Sequence, residues 1–268
     1  MGCRRLLFLR AALLLGALCA AAAGTLADPA ALSQSYRNEV DRRLELPADE
    51  AQRYGELARG ALAAAGISPT SAEYVVVIDR SPHVQALFLY WLSPGFPAWL
   101  VGASPVSTGR GGAFDHFETP LGLFEHSTAN PDFRAEGTRN SNGIRGYGAK
   151  GLRVFDLGWQ QARRLWGAGG ISTMRLQMHA TDPDRLEPRL GSPQSKGCIR
   201  IPASLNRLLD RFGVLDADYL NVTEGAASWV LAPDRTPLAD AGRWVIVVET
   251  ERTGRPPWSP APPGQASP

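Results

Sequence analysis

The chain has 268 residues, of which 44% are hydrophobic and 20% are charged, and its formal net charge at pH 7 is only +2. It contains no basic run of the kind that binds the phosphates of nucleic acids. Beyond the N-terminus, no segment approaches the roughly 20 consecutive apolar residues that a membrane-spanning helix needs. We therefore expect one main domain, no nucleic-acid partner and no transmembrane span in the mature chain.

The N-terminus has the pattern of a secretory signal peptide, which we predict over residues 1–27. Arg4 and Arg5 precede an apolar run from Ala11 to Leu18, and the small residues that follow offer a cleavage site. Leu18 is bulky where a lipoprotein signal has a small residue before its cysteine, so cleavage is favoured over lipidation. The sequence thus predicts export to the periplasm or cell envelope of a bacterium.

Residues 28–70 form a predicted helical segment. Apolar side chains recur at helical spacing twice between residues 33 and 67, once before Pro47 and once after it. Gly66 ends the second pattern. The segment is therefore predicted to contain two helices that pack on a neighbouring element.

Residues 71–250 are predicted to form a mainly β domain with short helices. The candidate strands are rich in β-branched and aromatic residues and are separated by turn residues. They are residues 74–78, 86–91, 99–106, 122–125, 175–179 and 244–248. The first two flank a Ser-Pro turn and indicate a β-hairpin, and the whole set predicts a small barrel or sandwich.

The remaining segments have weaker patterns. Residues 137–151 are rich in Gly, Asn and Arg without periodicity, which predicts a loop of a length that is often functional. Short helices are predicted over residues 159–166 and 202–212, the second of them amphipathic. Residues 251–268 are Pro-rich and predict an extended or disordered tail with no core to bury. Residues 213–243 show no pattern that we can interpret.

Cys198 gives the strongest indication of a chemical activity. Without the signal segment it is the one cysteine left, so it has no partner for an intramolecular disulfide. A cysteine nucleophile needs a base, donors for an oxyanion and surroundings that favour the thiolate. His179, at the end of an apolar run, is the candidate base, and Gly197 permits unusual backbone dihedrals. Lys196 and Arg200 bring cationic charge close to the sulfur in sequence.

Two other roles for these residues have to be weighed. A lone cysteine is commonly a small buried hydrophobic side chain and not a nucleophile. A zinc site would combine Cys198 and His179 with His116 and His126, but the chain has no short-spaced ligand pair such as C-x-x-C or H-x-x-x-H. Residue chemistry alone therefore disfavours zinc and leaves the buried and the catalytic roles of Cys198 open.

The order of several motifs resembles a known family. His179 is followed, after fifteen residues, by S-K-G-C-I-R at 195–200. This resembles the signature of the L,D-transpeptidase catalytic domain, the YkuD family, in which a histidine and a spacer precede S-H-G-C. The segments V-S-T-G at 106–109, T-P-L-G-L-F at 119–124 and L-G at 190–191 resemble further family motifs in the same order. The similarity covers residues 72–212 and extends towards residue 249.

The resemblance implies a fold, an activity and a substrate. The fold is a barrel- or sandwich-like β catalytic domain, and the substrate is the stem peptide of peptidoglycan. Cys198 would attack the carbonyl between the third residue and D-Ala at position four, with His179 as general base and with no cofactor or metal. The backbone N–H groups of Gly197 and Cys198 would hold the oxyanion, and Arg200 or Lys196 would orient a stem carboxylate. The implied substrate-binding residues are Ser195, Lys196, Gly197 and Arg200.

The thioester on Cys198 has several conceivable fates. An amine of a neighbouring stem would give a 3→3 cross-link, the outcome we favour, and an amine on another protein would anchor that protein. Water would make the chain a carboxypeptidase or a cross-link endopeptidase, and an inactive wall-binding module is the non-enzymatic alternative. The chain departs from the family pattern at Lys196, where a second histidine is usual, and at Ala180, where Gly or Ser is common.

Overall fold

The structure is a computed structural model that describes residues 28–225 and 227–261. The predicted signal segment, residues 1–27, lies outside the described residues. Within them, the chain forms three α-helices and nine β-strands, and the strands make two mixed sheets. None of the described helices is long and apolar enough to cross a lipid bilayer.

The elements confirm a mainly β fold that follows a small helical segment. The helices are α1 (Pro29–Glu39), α2 (Ala48–Ala64) and α3 (Ala203–Arg211). The strands are β1 (Glu73–Asp79), β2 (Ala86–Leu92), β3 (Trp99–Pro105), β4 (Gly122–Glu125), β5 (Phe133–Arg134), β6 (Arg153–Arg163), β7 (Ile171–His179), β8 (Ile199–Arg200) and β9 (Trp244–Val248). Two 3-10 turns lie at Glu187–Arg189 and Ser228–Val230.

The first sheet has the strand order β3-β2-β1-β9-β4. β1 pairs antiparallel with β2, which confirms the predicted hairpin, and parallel with β9. Val76 and Ile78 of β1 belong to the main core, whereas Val75 and Val77 belong to a second core together with Tyr54 of α2. Because both faces of β1 are buried, its sequence is a continuous apolar run without alternation.

The second sheet has the order β5-β6-β7-β8. The helix predicted over residues 159–166 is wrong, because residues 159–163 are the second half of β6 and pair with residues 171–175 of β7. Ala162 is buried there, while its neighbours Gln161 and Arg163 are exposed, which is the two-residue period of a strand. Pairing with β7 thus overrides the local helical preference.

The helices α1 and α2 confirm the two predicted between residues 33 and 67, and α3 confirms the one predicted over residues 202–212. α1 begins earlier than predicted, at Pro29, because the Asp28 side chain caps it by accepting the Ala30 N–H at 2.8 Å. It lies against β3, where the Tyr36 hydroxyl donates to the Ala103 carbonyl at 2.6 Å. α1 also contacts α3, and α3 follows the cysteine motif directly.

The residues after β9 are partly buried, although the sequence predicts a tail with nothing to bury. The Trp258 ring lies 6.0 Å from the ring of Tyr54 and 5.9 Å from that of Phe88, between centroids. Arg252 pairs with Glu50 of α2 at 2.6 Å. Residues 251–261 therefore cover the second core, even though they form neither helix nor strand.

Candidate active site

β7 and β8 bring the cysteine motif next to the predicted base. The two strands pair in parallel, with His179 opposite Arg200. Continued back by two residues, this register sets Cys198 beside Gln177. Cys198 lies one residue before β8, and its Sγ contacts the backbone of β7 at the Arg175 carbonyl oxygen. The pairing of β7 with β8 therefore brings the predicted nucleophile to the strand that ends in the predicted base.

Cys198 is a half-buried free thiol. Its Sγ lies 3.8 Å from the Arg175 carbonyl oxygen, to which the thiol donates a weak hydrogen bond. Burial raises the pKa of Cys198, and this effect outweighs the lowering by the Gln177 backbone and the Arg200 guanidinium. The thiol is therefore protonated at neutral pH. The expectation that its surroundings favour the thiolate is wrong for the protein alone, because desolvation exceeds the attraction of the nearby cation.

His179 is a buried, neutral histidine. Its Nδ1 is hydrogen-bonded to the Ala180 carbonyl oxygen, and since a carbonyl only accepts, Nδ1 carries the proton. Burial lowers the pKa of His179 to about 4, with a smaller contribution from Arg200, although the Ala180 bond opposes this effect. The Nε2 atom therefore carries the free lone pair at neutral pH, which is the state that a general base requires.

Ser195 and Gly197 shape the loop before β8. The Ser195 hydroxyl is fully buried; it donates to the Cys198 carbonyl and accepts the Gly197 N–H at 3.0 Å. Gly197 has a φ of +132°, and a Cβ there would lie 2.6 Å from the sulfur of Met174. Ser195 therefore holds the loop, and the Gly197 N–H, which is expected at the oxyanion, has the Ser195 hydroxyl as a partner. The substrate-binding roles of both residues stay predictions.

Lys196 and Arg200 have different surroundings. The Lys196 ammonium is exposed and pairs with Asp115 at 2.7 Å. Arg200 donates to the Gln194 carbonyl at 3.2 Å, and its charge lowers the pKa of Cys198. Arg200 is thus the cation that acts on the sulfur, while Lys196 lies on the surface, where its substrate-binding role stays a prediction.

The comparison with protein families agrees with this geometry. Residues 73–237, more than half of the chain, match the family model of the L,D-transpeptidase catalytic domain, YkuD. The chain belongs to the YkuD family. No curated protein matches it. The YkuD domain is a β-sandwich that acts on peptidoglycan, and its family is typically enzymatic, so the resemblance and the fold class expected from the motifs are confirmed.

The YkuD site also contains residues that the sequence analysis does not predict. The Tyr147 ring packs edge-on against the His179 ring, with 4.7 Å between centroids, and its hydroxyl donates to Gln177 at 2.9 Å. Gln177 in turn donates to Asp156 at 3.0 Å, and the Nε–H of Arg175 is shared between the two oxygens of the same carboxylate. One signal was available in the sequence, because Tyr147 lies between two glycines in a polar loop.

The loop that carries Tyr147 is fixed beside the YkuD histidine. Residues 137–151 contain no helix or strand, which confirms the predicted loop. Asp182, three residues after His179, accepts the backbone N–H groups of Arg145 and Arg185, both at 2.9 Å. These donors lower the pKa of Asp182 against the opposing effect of burial. The loop is therefore anchored where its tyrosine covers the base.

The histidines that a zinc site would need are dispersed. His126 is buried, with Nδ1 bonded to the Leu215 carbonyl at 2.8 Å and Nε2 to Asp132. His116 lies in the segment before Phe117, beside the cations of Lys196 and Arg110. No group of three metal-ligating side chains occurs within residues 28–225 and 227–261.

Proposed function

We propose that the protein is an L,D-transpeptidase that uses Cys198 as its nucleophile and His179 as its general base on peptidoglycan stem peptides. The observation that carries the proposal is the neutral His179, whose Nδ1 is held by the Ala180 carbonyl and whose Nε2 is left to accept a proton. A buried, neutral histidine at the end of the strand whose backbone contacts a free thiol has the chemistry of a cysteine acyltransferase. Its family supports the peptidoglycan substrate.

The first half-reaction forms a thioester. Cys198 Sγ attacks the carbonyl carbon between the third residue of the stem, a diamino acid, and D-Ala at position four, as the thiol proton passes to His179 Nε2. The C–N bond then breaks, and the same proton goes to the departing D-Ala amine. Because the thiol is protonated at rest, proton transfer accompanies attack and no preformed thiolate is needed.

The oxyanion and the stem carboxylates need positive partners. With the Gly197 N–H bonded to Ser195, the Cys198 N–H is our remaining backbone candidate for the oxyanion. Arg200 is a half-buried cation close to the sulfur, and Lys196 is an exposed one at the rim. We assign a stem carboxylate to one of these two charges.

The second half-reaction resolves the thioester. An amine of a neighbouring stem attacks the thioester carbonyl, His179 accepts the amine proton, and the Cys198 thiol is regenerated, which leaves a 3→3 cross-link or a transfer to another amine. Peptidoglycan lies outside the cytoplasmic membrane, so the family favours an extracytoplasmic location. With the signal-like N-terminus, we propose export to the periplasm or cell envelope.

The test is the mass of the products. Full-length protein is incubated with stem tetrapeptide, and transpeptidation is expected to release one D-Ala for each pair of stems joined. Tripeptide without a joined product would assign the site to a hydrolase, a carboxypeptidase. With stems that are already cross-linked, release of separate stems would indicate an endopeptidase. If both the tetrapeptide, whatever amine is added, and the cross-linked stems stayed unchanged, the enzymatic proposal would be overturned in favour of a wall-binding module.

The pH dependence of the first half-reaction follows from His179. The base works only when it is unprotonated, and its pKa is lowered to about 4. The rate of D-Ala release should therefore be flat between about pH 5 and 7.5 and fall only towards pH 4, whereas an ordinary histidine would lose activity near 6.5. Initial rates across this range check the prediction, with circular dichroism to verify the fold at each pH. A rate that halves near pH 6.5 would contradict it.

A further inference from the structure

A groove of about 570 Å³ opens beside the proposed catalytic residues. Its walls are the loop at residues 137–151, β5 and the 3-10 turn at Ser228–Val230. The residues that matter for its chemistry are Phe133, Glu136, Arg139, Asn140, Tyr147 and Trp229. This volume lies within the range of small-molecule sites in proteins. None of these residues has a part in the proposed chemistry at Cys198.

One side chain, Tyr147, lies between the groove and the base. Tyr147 contacts the His179 ring on one side and the Phe133 ring on the other, with 5.3 Å between the centroids of the two aromatic rings. A ligand in the groove would therefore lie one aromatic side chain away from His179. Such a position suits a part of the substrate that is covalently attached to the reacting stem.

Trp229 is exposed but held in a fixed place. Its ring is 59% exposed although it is the largest apolar side chain of its segment. The Arg134 guanidinium donates to the Val230 carbonyl and also pairs with Asp210 of α3, which ties the turn to the body of the domain. Trp229 shares the groove with the aromatic rings of Phe133 and Tyr147, and aromatic side chains of this kind are enriched at binding surfaces.

The charge of the groove is close to balanced. Asp210 neutralises Arg134, and Glu136 and Arg139 carry opposite charges. A groove of this kind does not select for the carboxylate and ammonium groups of a stem peptide. It suits an uncharged ligand that has one apolar face and many hydroxyl or amide groups, which is the chemistry of an N-acetylated sugar. The C–H face of such a ring packs on the negative face of an indole.

We propose that this groove binds the glycan strand of peptidoglycan, with an N-acetylated sugar stacked on Trp229 while the attached stem peptide reaches Cys198. The proposal rests on the proposed function, since it takes the sugar to belong to the same substrate. Glu136, Arg139 and the side-chain NH₂ of Asn140 supply polar groups for the hydroxyl and amide groups of the sugar, while the Asn140 Oδ1 atom accepts two backbone N–H groups of its own loop. The protein thereby distinguishes a stem on its glycan from a free stem peptide.

The first experiment compares two donors that differ only in the sugar. One is the free tetrapeptide and the other carries its disaccharide. For the wild type, kcat/KM is expected to be about tenfold higher with the disaccharide donor, which corresponds to roughly 1.4 kcal/mol. Trp229→Ala should bring that ratio close to one. The matched control is Trp159→Ala, an equally exposed tryptophan on β6 that does not line the groove, and it should leave the ratio as in the wild type.

The second experiment does not require turnover. Two proteins are titrated with chitotetraose, an N-acetylglucosamine oligomer, and binding is measured by calorimetry. One carries Cys198→Ala alone, and the other carries both Cys198→Ala and Trp229→Ala. Sugar binding that Trp229→Ala removes would support the glycan proposal even if no stem peptide were ever cleaved. Failure of the glycan proposal can therefore be told apart from failure of the proposed function. A wild-type donor ratio of one, absence of sugar binding, or self-association of the protein that Trp229→Ala abolishes would each overturn the glycan proposal.

Discussion

Replacement of Cys198 by alanine is expected to abolish the covalent intermediate and all turnover of stem peptides, while the free energy of unfolding changes by less than about 1.5 kcal/mol. The sulfur is the proposed nucleophile, and within the described residues it is the one free thiol. Its polar contact is weak, since Sγ lies 3.8 Å from the Arg175 carbonyl oxygen. Intact-protein mass spectrometry during turnover should detect an acylated wild type and an unmodified variant.

Two further variants make this test specific. His179→Ala should keep the thiol but lower the acylation rate by about 10²–10⁴-fold, the usual loss for a positioned general base. His83→Ala is the matched control, because His83 lies in the turn between β1 and β2 and has no part in the site. If Cys198→Ala retained the wild-type rate, or if His83→Ala and His179→Ala lost activity equally, the assignment of nucleophile and base would be wrong.

The site could be predicted from the sequence where its chemistry lies in short motifs. His179 ends β7 and Cys198 directly precedes β8, and the two strands belong to one sheet. The order of the motifs therefore sufficed to pair them. The pKa of the thiol could not be predicted, because it depends on burial, which the adjacent charges in the sequence do not reveal. Lys196 is the nearest lysine in sequence, yet its ammonium lies against Asp115.

The fold was predictable where burial on both faces leaves a continuous apolar run, as in β1, and where helical spacing is regular, as in α2 and α3. It was not predictable for the second half of β6, where Trp159 and its neighbours are held by pairing with β7 and not by their own propensity. Trp258 was missed for a related reason: a Pro-rich segment has no periodicity, and its one apolar anchor contacts residues about 170 to 200 positions earlier.

A buried network of charges holds residues 213–243 against the second sheet. The sequence pattern of this segment gave no prediction. Arg153 of β6 is completely buried; it donates to Asp132 at 2.6 Å and to Asp216 at 2.9 Å. Both ring nitrogens of His126 bond to acceptors, one to the Asp132 carboxylate and the other to the Leu215 carbonyl in the 213–243 segment. Since both nitrogens then carry a proton, the imidazole is cationic. The Asp132 carboxylate raises the pKa of His126 although burial opposes it. Arg153 thus joins the second sheet to this segment.

Arg153→Met is the substitution with the largest expected effect on stability. It removes the cation that Asp132 and Asp216 share and leaves two buried carboxylates with less positive charge around them. Loss of one partner of a buried ion pair costs about 3–5 kcal/mol, a large share of the roughly 5–15 kcal/mol that holds a typical domain folded. Urea unfolding followed by tryptophan fluorescence measures the change. Arg153→Lys, which restores one charge but not the two-sided hydrogen bonding, should lose less.

The control lies at the other end of the same strand. Arg163 is 62% exposed, and its nearest carboxylate, Glu118, is 3.8 Å away, so Arg163→Met should change the free energy of unfolding by no more than about 0.5 kcal/mol. The two variants remove the same side chain and differ only in burial and partners. A loss below about 1 kcal/mol for Arg153→Met would mean that the two carboxylates take up protons or water at little cost. The 213–243 segment would then be held by its apolar contacts and not by the charges.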